Sequence, residues 1–176
     1  MNVTNIHLRN LPTTILLLAT SMCLTVMVLC DTVSGTEGSS TAARQAEVAT
    51  RGAQVMPFDL EQTMHHFRSL DNGGLQTVTA KDPGNEEQIA LIQAHLKGEA
   101  EKFQRGDFAD PVKIHGEEMP GLAELKAWAG QIEIQYLPLP DGAQIRYTTQ
   151  DPALVMAIHH WFMAQRVDHG RHALGH

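Results

Sequence analysis

Ten histidines stand in 176 residues, against 13 lysines and arginines together. Imidazole is the commonest side-chain ligand for transition metals and changes charge near neutral pH. His65, His95 and His159 fall on faces that hydrophobic periodicity assigns to an interior, where each ring nitrogen needs a hydrogen-bond partner or an ion. His95 and Glu99 are four residues apart, a spacing that brings both to one metal and equally makes an ordinary hydrogen-bonded pair. His115 and Met119, in IHGEEMPGL, offer an imidazole and a thioether, a soft pair suited to copper. The plainer alternative makes Met119 an apolar filler and His115 a loop residue. His159, in AIHHWFMAQ, is either a ligand or a core histidine bonded to a backbone carbonyl. Its neighbour His160 is turned by about 100° and faces solvent. The tail DHGRHALGH holds His169, His172 and His176. His172 and His176 read as a frayed polar end, whereas His169 lies one turn past the apolar stripe and can fold inward.

The elements that must position these groups follow from turns and caps. TMHHFRS (63–69) and LQTVTA (75–80) flank Asp71-Asn72-Gly73-Gly74. Asn-Gly between β-prone runs predicts a hairpin, because both residues tolerate positive φ. With Asn72-Gly73 as the loop, Phe67 pairs with Val78 and His65 with Ala80. All four then share one face, and His66 points the other way with Arg68 and Thr79. Asp82-Pro83 and Asn85 start a helix over roughly 86–105, whose stripe is Ile89, Ile92, Leu96 and Phe103, with His95 and Glu99 beside it. Residues 106–116 read as a loop and 120–129 as a short helix with proline in its first turn. A second hairpin spans 132–137 and 143–149 around Asp141-Gly142, with Pro138 and Pro140 confining its pairing. Asp151-Pro152 then opens a helix to about Val167, with Val155, Ile158, His159, Phe162 and Arg166 on one face.

Both hairpins lead through Asp-Pro into a helix, and LIQAHLKGEAEKF overlays VMAIHHWFMAQRV with His95 over His159. The expected fold is α+β: two pseudo-repeated ββα units forming a four-stranded antiparallel sheet with helices packed on one face.

Upstream, residues 1–31 combine a weakly positive start with an uncharged apolar run (11–30) that ends at Asp31. This reads as a signal peptide or an N-terminal membrane anchor, with residues 11–30 long enough to tether the chain. Residues 32–56 are rich in Ser, Thr, Gly and Ala and read as a flexible linker, leaving 57–176 as a single domain. Both cysteines, Cys23 and Cys30, fall in the leader, which excludes thiolate zinc sites and a Cys nucleophile from the domain. The net charge of −7, with no basic block, argues against nucleic acid as a partner. The expected location is outside the cytoplasm, free in the periplasm or anchored facing it. Oligomeric state stays open, a homodimer included.

Residues from about 58 to 173 resemble a family of small exported bacterial proteins. The stretches that carry it are FDLEQTMHHF, GGLQTV, EQIALIQAHLKGEAEKFQRGDFADP, IHGEEMPGL, LPDGAQIRYTTQDP, IHHWFMAQ and DHG. Members are often labelled aspartate carbamoyltransferase. The transcarbamoylase runs Ser-Thr-Arg-Thr and His-Pro-x-Gln are absent here, and about 120 residues is short for two α/β domains, so that activity is not expected. The resemblance places His65, His95, His115, Met119 and His159 inside matching stretches.

The functional expectation is transition-metal binding, copper before zinc. His65, His95 and His159 would be ligands, with His115 and Met119 completing or gating the site. Glu99 would orient an imidazole, and His169 is a further candidate. The role would be metal handling rather than catalysis. Three alternatives remain at this level: a ligand or protein interaction module with structural histidines, a metal-dependent hydrolase using Glu99 as base, and haem with His and Met axial ligands. No Gly-x-Ser-x-Gly, phosphate loop, dinucleotide fingerprint or His-Glu-x-x-His motif occurs.

Overall fold

The computed structural model describes residues 34–175. The elements in chain order are α1 (Ser34–Gly52), β1 (Thr63–Leu70), β2 (Gly73–Ala80), α2 (Glu86–Gln104), α3 (Ala109–His115), α4 (Leu122–Ala127), β3 (Glu133–Leu139), β4 (Gly142–Thr148), α5 (Pro152–His169) and β5 (Ala173–Gly175). They build one sheet in the order β3-β4-β2-β1-β5. β1 to β4 pair antiparallel, and β5 lies parallel to β1. The fold is therefore α+β, but the sheet has five strands and is mixed, which corrects the expected four-stranded antiparallel arrangement of ββα repeats. The tail read as a frayed end is the source of the extra strand.

The first hairpin turns one residue earlier than the Asn-Gly reading, which shifts each cross-strand partner by two. Leu70 pairs with Gly73, so Asp71 and Asn72 form the turn, Phe67 faces Gln76 and His65 faces Val78. Gly73 is needed inside the strand instead. Its φ is +142°, and a Cβ there would lie 2.0 Å from the Tyr147 carbonyl oxygen of β4. The register error is an even number of residues, so no side chain changes face. Thr63, His65, Phe67, Val78 and Ala80 are all buried. In the second hairpin Leu139 pairs with Gly142, and Pro138 is tolerated because β3 is an edge strand.

α2 starts where Asn85 accepts a hydrogen bond from the Gln88 amide, and α5 where Asp151 accepts one from Ala153, with Pro152 in the first turn. Ile92, Leu96 and Phe103 of α2 join Ile158, Trp161 and Phe162 of α5 over Phe67, Val78 and Ile145 of the sheet. The α5 face differs from the one expected. Leu154, Ile158, Trp161, Gln165 and Asp168 turn inward, and His159 is only half-buried.

Two segments read as irregular are helical. Residues 109–115 form α3, and most of the supposed linker is α1, which packs on α5 and α3. Its Ala-rich second half carries Arg44–Glu47 and Glu47–Arg51 pairs at helical spacing. Val48, 1% exposed, anchors it, a burial that stabilises by about 1.5–3 kcal/mol. Among the described residues, α1 therefore falls in the same compact unit as the sheet and the later helices. The signal or anchor reading of 1–31 lies outside the described residues, as does His176. Among the described residues no helix is long and apolar enough to cross a membrane.

Candidate functional site: a buried histidine cluster

Three imidazoles from three elements meet beneath α1. His65 comes from the inner face of β1, His115 is the last residue of α3, and His169 is the last residue of α5. Each is buried, at 3%, 5% and 6% exposure. The His65 and His169 rings stack 4.6 Å apart at 13°, and His115 meets His169 edge-on at 5.0 Å. These rings border a small cavity of about 40 Å³, whose walls also include His95, Glu99, Trp161 and Gln165. That volume suits an ion or a few waters and has no room for a haem macrocycle.

Asp168 fixes the cluster from one side. The His115 Nδ1–H donates to its Oδ2 at 2.8 Å, which leaves Nε2 as the ring nitrogen not engaged by Asp168. Arg44 of α1 clamps the same carboxylate, with Nε 3.0 Å from Oδ1 and Nη2 2.7 Å from Oδ2, and Nη2 also donates to the His115 carbonyl oxygen. Burial alone would raise the Asp168 pKa. The bonds from His115 and Arg44 outweigh it and bring the carboxyl down to about 2.

Desolvation pushes the imidazoles the other way. Burial lowers His65 to about 3, with neighbouring histidines adding to the shift and the backbone of His172 opposing it. His95 falls to about 4 by burial, and His169 lies well below its usual value from burial and the adjacent His65, His115 and His172. At neutral pH these three rings are uncharged and keep a lone pair. Among the described residues, three buried polar atoms have no protein hydrogen-bond partner: His65 Nδ1, Trp161 Nε1 and Gln165 Nε2. All belong to residues bordering the cavity. Leaving a buried polar group unpaired costs about 1–3 kcal/mol, so three around one space mark a place built for a polar guest.

The sequence-derived candidates separate into groups. His65, His115 and His169 come together. His95 borders the cavity too, and the Phe58 ring touches both imidazoles, lying 5.6 Å from His95 and 5.9 Å from His65. Glu99 also borders the cavity; burial raises its carboxyl to about 7, even though Lys102 Nζ donates to it at 2.8 Å. His159 is elsewhere. Its Nε2–H donates to the carbonyl oxygens of Leu70 (3.0 Å) and Gly73 (2.9 Å), so it ties α5 to the first hairpin. Met119 is buried against a different groove, shared with His115. His172 is not frayed: it is buried and lies 3.0 Å from Glu61.

Arg44, Asp168, Trp161 and Gln165 were not candidates in the sequence. Only the first two carried a signal, since an Arg in an Ala-rich run and an Asp beside a His are weak hints that need the fold to join them. Among the described residues no three His, Cys, Asp or Glu side chains stand ready-made around a metal ion. Comparison with family models, with curated proteins and with solved structures returned no match.

Proposed function

We propose that this is an exported metal-handling protein whose inner cavity takes one soft transition-metal ion, copper(I), between His65 and His169, with His115 as third ligand. The observation that carries the reading is the packing of three buried imidazoles ring to ring, with His65 Nδ1 unpartnered. Copper(I) accepts low coordination numbers and imidazole or thioether donors, and Met56 borders the same cavity. A closed zinc site wants four donors, and the nearby carboxylates are engaged by Arg44 and Lys102. Parallel rings direct their in-plane lone pairs side by side, so chelation turns His169 out of its stack. The proposal replaces His159 as a ligand and keeps His95 as a flanking group.

The test is anaerobic copper(I) titration with thermal unfolding of the apo and loaded protein. Saturation at 100 times Kd stabilises by about 2.7 kcal/mol. The expected result is a copper-dependent rise in Tm that a His65→Ala, His169→Ala variant loses. Equal copper response in wild type and variant, or none in either, sinks the reading.

A further inference from the structure

The second feature is a groove on the outer side of His115, about 440 Å³ and mainly apolar, bordered by Met119, His160, Met163, Glu118 and His115 itself. Met156, His160, Met163 and Val167 follow one another at steps of four, three and four residues along α5. At about 100° per residue they fall within about 60° of one another and form one stripe. The stripe is exposed: Met156 and Met163 are each 50% accessible and Val167 55%, and His160 is open to solvent. Across from it, Met119 is held in place by a backbone device. Gly121 has φ +80° and packs so closely on α5 that a Cβ would lie 2.0 Å from the Ala157 carbonyl oxygen. Only glycine permits that approach, and it brings the Met119-Pro120 segment to the side of His160 and Met163.

Two thioethers and an imidazole facing one groove form a soft donor set, selective for monovalent copper or silver and needing no deprotonation of the sulfurs. Glu118 adds a negative charge at its border. His115 borders both this groove and the inner cavity, so one side chain stands between the two sets of donors.

We propose that Met119, His160 and Met163 form an outer copper(I) site, from which the ion passes to the inner imidazoles by way of His115. The proposal takes its metal class from the reading above, but its donors are separate residues, so either can fail alone.

The experiment uses the full chain carrying Cys23→Ala and Cys30→Ala, so that no thiol competes. Copper(I) is titrated anaerobically against a chromogenic chelator while methionine ε-methyl resonances are followed by NMR. The parent binds two equivalents, and the Met119 and Met163 methyl signals shift. His160→Ala with Met163→Leu, both exposed and safe for folding, lowers the stoichiometry from two to one and leaves the inner ion bound. Unmoved Met119 and Met163 signals through two equivalents, or two ions still bound by that variant, overturn the outer site. A His65→Ala, His169→Ala protein that binds as many ions as the parent while the methionine signals still shift overturns the inner reading and leaves the outer one standing.

Discussion

Neutral burial of His65 makes the fold acid-sensitive in a calculable way. The ring is 3% exposed with its pKa lowered to about 3, against an ordinary value of 6.5. In the unfolded chain it takes up a proton as pH drops below about 6.5, and in the folded chain it does not until pH nears 3. The unfolded state therefore binds more protons across that window, and stability falls with pH. The loss starts near 6.5, continues down to about 3, and is absent above 7. Between pH 7 and 5 one such histidine withdraws about 2 kcal/mol by linkage. His95 and His169 shift in the same direction and steepen the fall. Groups of opposite tendency surround them: Glu99, raised to about 7, gains stability as it protonates. The wild-type curve is therefore a sum, and the single contribution is isolated by difference.

His65→Gln keeps a polar side chain and removes the titration. Urea unfolding at pH 7 and 5 gives both slopes. The variant loses about 2 kcal/mol less than wild type between the two, or about 5–10 °C in Tm for a domain of this size. Parallel pH–stability curves for the two proteins would falsify the assignment of His65 as a buried neutral group.

Three further outcomes follow from the geometry. Asp168→Asn removes the carboxylate that His115 and Arg44 share, and destabilises by about 2–3 kcal/mol at pH 7, discounted for the part-exposed arginine. The wild-type advantage disappears as pH falls from about 4 towards 2, because a depressed carboxyl loses its contribution on protonation; a gap in urea midpoints that persists at pH 2 contradicts this. Glu99→Gln relieves a buried carboxyl with a raised pKa and stabilises the protein above pH 7 by about 1–2 kcal/mol, reduced by the lost Lys102 contact; thermal unfolding at pH 8 showing a lower Tm than wild type contradicts it. Gly121→Ala forces a Cβ into the Ala157 carbonyl in a left-handed backbone and costs about 3 kcal/mol or more. A Tm within about 2 °C of wild type would mean that the 119–121 segment does not approach α5 this closely.

How much of this was legible in the sequence varies with the physics of each signal. Hairpins and long helices were readable because period and caps are local. The register of the first hairpin was not, because Gly73 serves a cross-sheet approach to Tyr147 instead of the turn, yet period-two alternation still kept His65 on the correct face. His65 and His115 were recognisable as chemistry-bearing, and so was the inward turn of His169. For His159 the sequence left a ligand and a carbonyl-bonded histidine both open, and the structure has it half-buried on the carbonyls of Leu70 and Gly73; the apolar pattern of α5 is nearly continuous from Val155 to Phe162, and periodicity cannot choose between adjacent stripes there. α1 was hidden by Ser- and Gly-rich composition, although its charge spacing is helical. The Arg44–Asp168 clamp spans 124 positions, and no local rule joins residues that far apart.

β5 has a further consequence. Only three residues long, it pairs with β1 at His65, His66 and Phe67, the strand that also carries a cluster imidazole. Without it β1 would be a sheet edge, with a row of unpaired amides and carbonyls open to pairing with another chain. Residues 173–175 therefore act as a guard against strand-to-strand association. Only the short turn 170–172 separates them from α5, so the groups that shield this edge and the His169 ring that completes the cluster lie within a few residues of one another in the chain. A chain interrupted before residue 169 would lack both, and would be prone to self-association as well as lacking a ligand.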